Sequence, residues 1–137
     1  MKKKLIVVID GQGGNIGKQL VKDIKDNIEN VTIRAIGTNS IATGNMLKGG
    51  ADEAATGENA LIVACRQADV IVGPVVIAIP DSLLGEVTTK MAEAVGSSGG
   101  KKVLIPFNKC DVNISGVKDK STSELINEAL DLIRDII

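Results

Sequence analysis

Asp10 and the glycines that follow it are the residues of this chain best suited to bind an anion. Residues 7–17 read VVIDGQGGNIG, so an apolar run ends at Asp10 and four glycines fall within the next seven positions. Glycine has no Cβ atom to keep a phosphate away from the backbone, and it adopts positive φ without strain. A helix that begins at such a turn offers unpaired N–H groups and partial positive charge to an anion. The pattern predicts a phosphate or nucleotide site, although the same glycines could serve only a tight turn and close helix–sheet packing.

Asp10 complicates an anion site at this turn. A carboxylate about 5 Å from a phosphate costs about 3 kcal/mol at an effective dielectric constant of 20, whereas a helix N-terminus contributes about 0.3–1 kcal/mol. Several arrangements stay open. Asp10 turns away, or a cation such as Mg²⁺ lies between the two charges, or the ligand carries less charge there, or Asp10 accepts hydrogen bonds from its own turn or from residues 38–40. Apart from this Mg²⁺ contact, no metal site is predicted.

Lys109 and Cys110, in the stretch PFNKCD, are further candidates for chemistry. A neighbouring lysine lowers the pKa of a thiol and makes it a better nucleophile. The chain has no histidine, however, so the usual general base beside a catalytic cysteine is absent. Asp10, Lys109 and Cys110 are therefore weak catalytic candidates for an enzyme that acts on a phosphorylated small molecule, and the alternative for Cys110 is a small residue at a strand end. Cys65 lies in an apolar helical stretch and is expected in the core.

The composition argues against several classes of function. The 137 residues include 16 Lys and Arg against 17 Asp and Glu, with no long block of either sign, whereas nucleic-acid binding needs a basic stripe. No apolar stretch approaches the ~20 residues that span a bilayer, and the apolar run at residues 5–9 is too short for a signal peptide. Two cysteines are too few for a disulfide framework. We therefore expect a cytoplasmic protein that binds neither nucleic acid nor a membrane.

Short apolar runs alternate with amphipathic stretches along the whole chain, which is typical of a parallel sheet covered by helices on both faces. The predicted strands cover residues 4–9, 31–36, 51–56, 69–73 and 102–107, with residues 112–115 as a candidate sixth strand. The predicted helices cover residues 16–28, 40–48, 58–67, 89–95 and 122–137. Right-handed crossovers then predict a Rossmann-like, doubly wound α/β fold with strand order 3-2-1-4-5 and residues 1–137 as a single nucleotide-binding domain.

Four local signals set the predicted helix ends. Ser40 is the predicted N-cap of the second helix, and Gly49 and Gly50 end that helix. Thr88 is the predicted N-cap of the fourth helix. The spacing of residues 121–124, Ser-Thr-Ser-Glu, predicts a capping box that opens the last helix.

The glycine turn resembles that of extended short-chain dehydrogenases. Gly11, Gly14 and Gly17 have the spacing G-x-x-G-x-x-G, and Asp10 stands where that family has threonine. The resemblance implies a nucleotide such as NAD at this turn. The chain departs from the family in three ways: the second strand ends in GTNS without an acid for the ribose, the absence of tyrosine removes the catalytic Tyr-x-x-x-Lys, and no segment could form a substrate domain. Hydride transfer by that mechanism is excluded.

The carboxyl ends of parallel strands meet at one edge of a sheet, and ligands of open α/β folds bind there. We expect the glycine turn to hold a phosphate and the loop after the second strand to meet a ribose or its equivalent. The predicted binding residues are Gly11, Gln12, Gly13, Gly14, Asn15, Ile16, Gly17, Thr38, Asn39 and Ser40. The expected ligand is a small phosphorylated compound or a nucleotide. The alternative is an oligomeric scaffold that binds nothing.

Residues 75–87, VVIAIPDSLLGEV, are unusually apolar for a loop after a strand. They could continue the sheet, cover the crevice as a lid, or pack against a second subunit. An exposed apolar patch of this size marks an interface. We therefore expect a homo-oligomer, a dimer in the simplest case, that associates through residues 75–87.

The chain as a whole resembles a small bacterial family known only as a domain of unknown function. The resemblance rests on LIVVIDGQGGNIGKQL, ALIVACRQADVIVGP and KKVLIPFNKCDV and runs nearly from end to end. It implies a short Rossmann-like protein and contributes no catalytic residues.

Overall fold

Strands and helices alternate along the chain in the computed structural model, which describes residues 2–106 and 112–137. The elements are β1 (Lys4–Asp10), α1 (Asn15–Asn27), β2 (Val31–Gly37), α2 (Ser40–Lys48), β3 (Glu53–Thr56), α3 (Glu58–Gln67), β4 (Val70–Pro74), a short 3-10 helix (Val75–Ala78), α4 (Thr89–Ser97), β5 (Lys101–Ile105) and α5 (Thr122–Ile136).

The sheet contains five parallel strands in the order β3-β2-β1-β4-β5, which confirms the predicted α/β fold and its strand order. The candidate sixth strand at residues 112–115 is wrong. Residues 112–114 have no regular structure, and a turn follows at residues 115–116. This short segment alternates partly buried apolar residues with exposed polar ones, and Gly116 ends it with a left-handed φ of 92°.

β1 occupies the centre of the sheet, and its side chains build the core on both faces. Ile6 and Val8 pack on one face with residues of α1, α2 and α5, whereas Val7 and Ile9 pack on the other with residues of α3, α4 and the 3-10 helix. All four side chains are fully buried. This is why residues 6–9 form a continuous apolar run rather than an alternating one.

The helix caps follow the predictions with one correction. Thr88 caps α4 by accepting a hydrogen bond from the Met91 N–H, and residues 121–124 form the capping box of α5. The N-cap of α2 is Asn39, not Ser40. The Asn39 backbone is extended, and its side-chain oxygen accepts from the N–H of Ala42, so Ser40 is already the first helical residue.

The remaining boundaries differ from the predictions by a few residues. β3 begins at Glu53 rather than at residue 51, because the Ile33 N–H of β2 donates to the Asp52 side chain at 2.8 Å instead of to the backbone there. β5 runs Lys101–Ile105, and Phe107, the predicted end of this strand, lies outside the described residues. No helix within residues 2–106 and 112–137 is long and apolar enough to cross a membrane.

Residues 75–87 fold into the core of their own chain. Val76, Ile77, Leu83 and Val87 are buried among residues of α3, α4 and β4, whereas Leu84 is 93% exposed. The segment does not continue the sheet, because the 3-10 helix follows β4 directly and turns cover residues 80–86. Its apolar composition is therefore explained without a second subunit, and association through residues 75–87 stays a prediction.

Leu83 and Leu84 give a matched test of this packing. Both have a left-handed φ, 57° and 58°, so replacement by alanine changes the backbone preference equally. We expect Leu83→Ala to lower the free energy of unfolding by about 2–5 kcal/mol, because it leaves a cavity in the core. Leu84→Ala should change it by about 0.5 kcal/mol or less. Urea denaturation measures both. Equal losses would contradict the inward packing of Leu83.

Candidate functional site

The carboxyl end of β1 lies at the point where the order of the sheet reverses. β1 pairs with β2 on one side and with β4 on the other, so the chain builds the sheet outward in one direction up to β3 and then in the other. Open α/β folds bind their ligands in the crevice at this point, beyond the carboxyl ends of the strands. The glycine turn leaves β1 there and enters α1.

Asp10 joins the end of β1 to the first turn of α1. Its carboxylate is only 4% exposed. Oδ1 accepts from the Gly11 N–H at 2.8 Å, and Oδ2 accepts from the Gly17 N–H at 2.7 Å. The structure thus realises the arrangement in which Asp10 bonds to its own turn. A contact of Asp10 with Mg²⁺ stays a prediction.

Three of the four glycines in this turn have clear packing reasons, and at Gly11 a Cβ atom would lie 2.5 Å from the Thr38 hydroxyl. Gly14 is the N-cap of α1 with a left-handed φ of 72°, and a Cβ atom there would lie 2.6 Å from the Cα of Ala42. A Cβ atom at Gly17 would lie 2.6 Å from the Met46 sulfur. α1 therefore packs closely against α2 only because these positions lack side chains, as the packing interpretation of the motif requires.

Gly13 has no such packing reason. It is exposed, its φ is not left-handed, and a Cβ atom there would meet nothing closer than the Nδ2 atom of Asn15 at 3.5 Å. A side chain at this position would fit the fold and would project at the edge of the turn. The lack of one leaves the backbone open to solvent.

Three backbone N–H groups at the start of α1 are available to a ligand. Among the described residues, no hydrogen-bond partner is found for the N–H groups of Gly13, Asn15 and Ile16. The Gly14 N–H is taken by the Gly11 carbonyl at 2.9 Å. α1 also has no acidic side chain in its first turn and no side-chain cap. Its N-terminus therefore keeps both donors and partial positive charge.

A cavity of about 160 Å³ opens beside these N–H groups. It lies between the turn and the chain that follows β4. Its lining residues are Asp10, Gly11, Gln12, Gly13, Gly14, Asn15, Ile16, Pro74, Val76 and Leu83. Pockets for drug-sized ligands measure about 300–1,000 Å³, so this cavity has room for a phosphate-sized group and not for a whole nucleotide.

Thr38 and Asn39, the predicted ribose contacts, hold a carboxylate of the chain itself. Oε1 of Glu86 accepts from Thr38 Oγ1 at 2.7 Å and from Asn39 Nδ2 at 2.8 Å. The same oxygen accepts from the Gln12 N–H at 2.8 Å. Ser40 is exposed at the start of α2 and makes none of these contacts. The structure thus brings Gln12, Thr38 and Asn39 together, around a residue that the sequence did not predict.

The environment of Glu86 favours its charged form. Partial burial raises the pKa of the carboxyl. The hydrogen bonds from Gln12, Thr38 and Asn39 together lower the pKa by more than burial raises it, so the pKa lies below the ordinary glutamate value. Glu86 is therefore ionised at neutral pH. The crevice edge then carries two carboxylates, those of Asp10 and Glu86, both satisfied by donors of the protein.

The structure describes only some of the remaining candidate residues. Lys109 and Cys110 lie outside the described residues. Cys65 is buried as expected, and burial raises the pKa of its thiol to about 11, so it is not a reactive cysteine. Within the part of the chain that the structure describes, no group of three or more His, Cys, Asp or Glu side chains could hold a metal ion.

Two larger cavities lie away from the crevice. One of about 600 Å³ runs between α3 and α4 past Cys65, and another of about 710 Å³ lies near the amino ends of the strands beside Lys2, Lys3 and Lys4. Both are open grooves lined mainly by exposed or partly buried residues. Neither lies at the point where the strand order reverses, next to the free N–H groups of α1. The smaller cavity is therefore the better candidate for a binding site.

One known protein family matches nearly the whole chain. Residues 5–137 match the domain of unknown function DUF3842. The chain belongs to the DUF3842 family. The match includes the glycine turn, the loop after β2 and Glu86, so the whole candidate site lies within the family domain. A comparison with curated protein sequences finds no match.

Two solved structures are similar to this DUF3842 domain at low sequence identity. A dodecameric FMN-dependent UbiX-like decarboxylase from Escherichia coli O157:H7 is 16% identical, with a TM-score of 0.53 over 96% of this chain and 93% of that chain. Glutamyl-tRNA reductase from Methanopyrus kandleri is 18% identical, with a TM-score of 0.48 over 98% of this chain and 35% of that chain. The first likeness shows the fold alone.

The hydrogen bonds of Asp10 predict a specific loss of stability in this DUF3842 protein. Asp10→Asn keeps the shape but points an NH₂ group at one of the two N–H donors, which leaves buried donors unsatisfied. We expect the free energy of unfolding to fall by about 1–3 kcal/mol. Asp26→Asn, on the exposed face of α1, is the control and should change it by about 0.5 kcal/mol or less. Urea denaturation measures the free energy of unfolding of both variants. An equally small change in both would contradict the role of Asp10.

The lowered pKa of Glu86 predicts a pH dependence. A carboxyl with a lower pKa in the folded state than in the unfolded state stabilises the protein above the unfolded-state pKa. That contribution disappears as the pH falls through the folded-state pKa. We therefore expect wild type to be more stable than Glu86→Gln at pH 7 and the difference to shrink on acidification. Urea denaturation of both proteins at a series of pH values measures it. A difference that grows as the pH falls would contradict the assignment.

Proposed function

We propose that this protein binds a phosphoryl group of a small ligand or nucleotide at the N-terminus of α1. The N–H groups of Gly13, Asn15 and Ile16 would donate to the phosphate oxygens, and the cavity beside them has the size of a phosphate. The observation that carries the proposal is that these three free donors line one cavity at the reversal point of the sheet.

The absence of a side chain at Gly13 supports the same proposal. The packing of α1 accounts for Gly14 and Gly17, whereas nothing in the described part of the chain requires glycine at position 13. A ligand that approaches the backbone closely would require it.

The two nearby carboxylates limit the charge that the site accepts. Asp10 and Glu86 are each bonded to N–H donors of the turn, so part of the positive potential of the turn is already compensated. We therefore propose a weakly charged phosphoryl group, such as a phosphodiester or a phosphate that carries Mg²⁺, rather than a free dianion. NAD or a similar nucleotide fits this description, and its identity stays open.

Association and location remain expectations from the sequence. The UbiX-like decarboxylase is a dodecamer, so this fold is compatible with assembly, and we propose that the DUF3842 protein also forms a homo-oligomer. We likewise propose a cytoplasmic location. Catalysis by Asp10, Lys109 and Cys110 stays a prediction, because Lys109 and Cys110 lie outside the described residues.

Asn15→Asp tests the phosphate site because it separates stability from binding. Asn15 is the first residue of α1, is exposed and lines the cavity. A carboxylate there interacts favourably with the helix dipole, so we expect the free energy of unfolding to rise by about 0.3–1 kcal/mol. The same charge should raise the Kd of inorganic phosphate about tenfold, because a repulsion of about 1.4 kcal/mol corresponds to a factor of ten in Kd.

The matched control is Ser123→Asp, which adds the same charge to the exposed first turn of α5. It should raise the stability similarly and leave phosphate binding unchanged. Titration with inorganic phosphate in the presence of Mg²⁺, followed by the backbone amide NMR signals of Gly13, Asn15 and Ile16, measures both variants. Wild-type protein in which these three signals do not move would refute the proposed function.

A further inference from the structure

The loop of residues 79–88 covers the β2 side of the candidate site, and it is a compact, closed unit. The Asp81 N–H bonds to the Val87 carbonyl at 2.7 Å, and the Val87 N–H bonds to the Ser82 carbonyl at 3.1 Å. Between these bonds the backbone is left-handed at Asp81, Leu83, Leu84 and Gly85. Three non-glycine residues in this region make the loop strained. Such a segment is held in place by what it contacts rather than by its own backbone preference.

Among the described residues, Glu86 is the only polar side chain of this loop that bonds to the glycine turn and to the loop after β2. Oε1 of Glu86 collects the three donors Gln12 N–H, Thr38 Oγ1 and Asn39 Nδ2 at 2.7–2.8 Å. No hydrogen bond from a described residue reaches Oε2. Leu83 anchors the loop separately by packing into the core. The polar fastening could therefore be released while the apolar anchor stays.

The donors that hold Glu86 would suit a ligand equally well. All three are neutral, all three converge on one oxygen, and they lie beside the phosphate-sized cavity, on the side of β2. Glu86 does not line that cavity. A phosphate in the cavity would leave Glu86 in place, whereas a ribose attached to the phosphate would extend over Thr38 and Asn39, where the carboxylate lies.

We propose that residues 79–88 form a lid whose latch is Glu86, and that a nucleotide binds by displacing the Glu86 carboxylate from Gln12, Thr38 and Asn39. This inference rests on the proposed phosphate site and adds its regulation. A phosphate without an attached nucleoside binds while Glu86 is still bonded to Gln12, Thr38 and Asn39. A nucleotide binds only to the fraction of molecules whose latch is open, so its apparent affinity is reduced by that fraction.

The test compares inorganic phosphate with AMP on the full chain, both in the presence of Mg²⁺. Removal of the Glu86 charge strengthens the binding of both ligands, because it removes a repulsion of their phosphates. The measured quantity is therefore the ratio of the AMP affinity to the phosphate affinity, in which this common effect cancels. We expect Glu86→Ala to raise this ratio at least tenfold and Glu86→Gln, which keeps an acceptor oxygen, to raise it less. Glu93→Ala, at an exposed glutamate of α4, is the control and should leave the ratio as in wild type.

Amide hydrogen exchange provides a second measurement that needs no ligand. In Glu86→Ala the Gln12 amide should exchange at least tenfold faster than in wild type, while the Gly17 amide, which Asp10 holds, should not change. The same acceleration at both amides would reveal general destabilisation and overturn the latch. Phosphate binding with an unchanged affinity ratio would overturn the lid alone. Failure of wild type and all variants to bind phosphate would overturn the proposed function, and the lid with it.

Discussion

The buried carboxylate of Asp10 is the interaction on which the geometry of the crevice depends. By accepting from the N–H groups of Gly11 and Gly17, it ties the last residue of the central strand to the first turn of α1. The N–H group of Gly17 would otherwise be one of the unsatisfied donors at a helix start. With this donor taken by Asp10, the direction of α1 is fixed and the donors of Gly13, Asn15 and Ile16 remain for a ligand.

Close packing of α1 adds the second constraint. Gly14 and Gly17 allow α1 to approach α2 and β1 at distances that any side chain would prevent. The turn is therefore short, and its N–H groups lie directly above the end of β1. β4 leaves the sheet on the neighbouring side, and the chain after it closes the cavity with Val76 and Leu83. Packing thus builds a small donor-lined cavity at the point where the two halves of the sheet meet.

The chain after β4 contacts the crevice in two physically different ways. Leu83 contributes apolar burial, which a ligand could not replace without opening the core. Glu86 contributes hydrogen bonds from neutral donors, which a ligand oxygen could replace one for one. The strained backbone between Asp81 and Gly85 connects these two contacts. A segment built in this way is a suitable cover for a binding site, because its polar contact can exchange while its anchor remains.

The sequence predicted those features that depend on local patterns. Apolar runs and amphipathic stretches located all five strands and the helices, and the alternation implied the strand order. The capping residue of α2 was misplaced by one position, because Asn39 and Ser40 are both good N-caps and only the end of β2 decides between them. Residues 75–87 could be interpreted as a continuation of the sheet, a lid or an interface, since composition alone does not distinguish a core of the same chain from the surface of a partner.

Glu86 was missed for a related reason. Its contacts join residues 74, 48 and 47 positions apart in sequence, and no local pattern encodes such a distance. The available signal was an isolated glutamate after a glycine in an apolar segment, opposite a strand end that lacked the acid expected for a ribose. The carboxylate at this edge of the sheet therefore comes from the loop of residues 79–88 and not from the end of β2.

A crystal structure determined with AMP and Mg²⁺ at saturating concentration would show directly where a nucleotide binds. We expect the phosphate to lie within hydrogen-bond distance of the N–H groups of Asn15 and Ile16, and the Glu86 carboxylate to have left Gln12, Thr38 and Asn39. AMP bound in the groove between α3 and α4 or beside Lys2–Lys4, with Glu86 still in place, would contradict it.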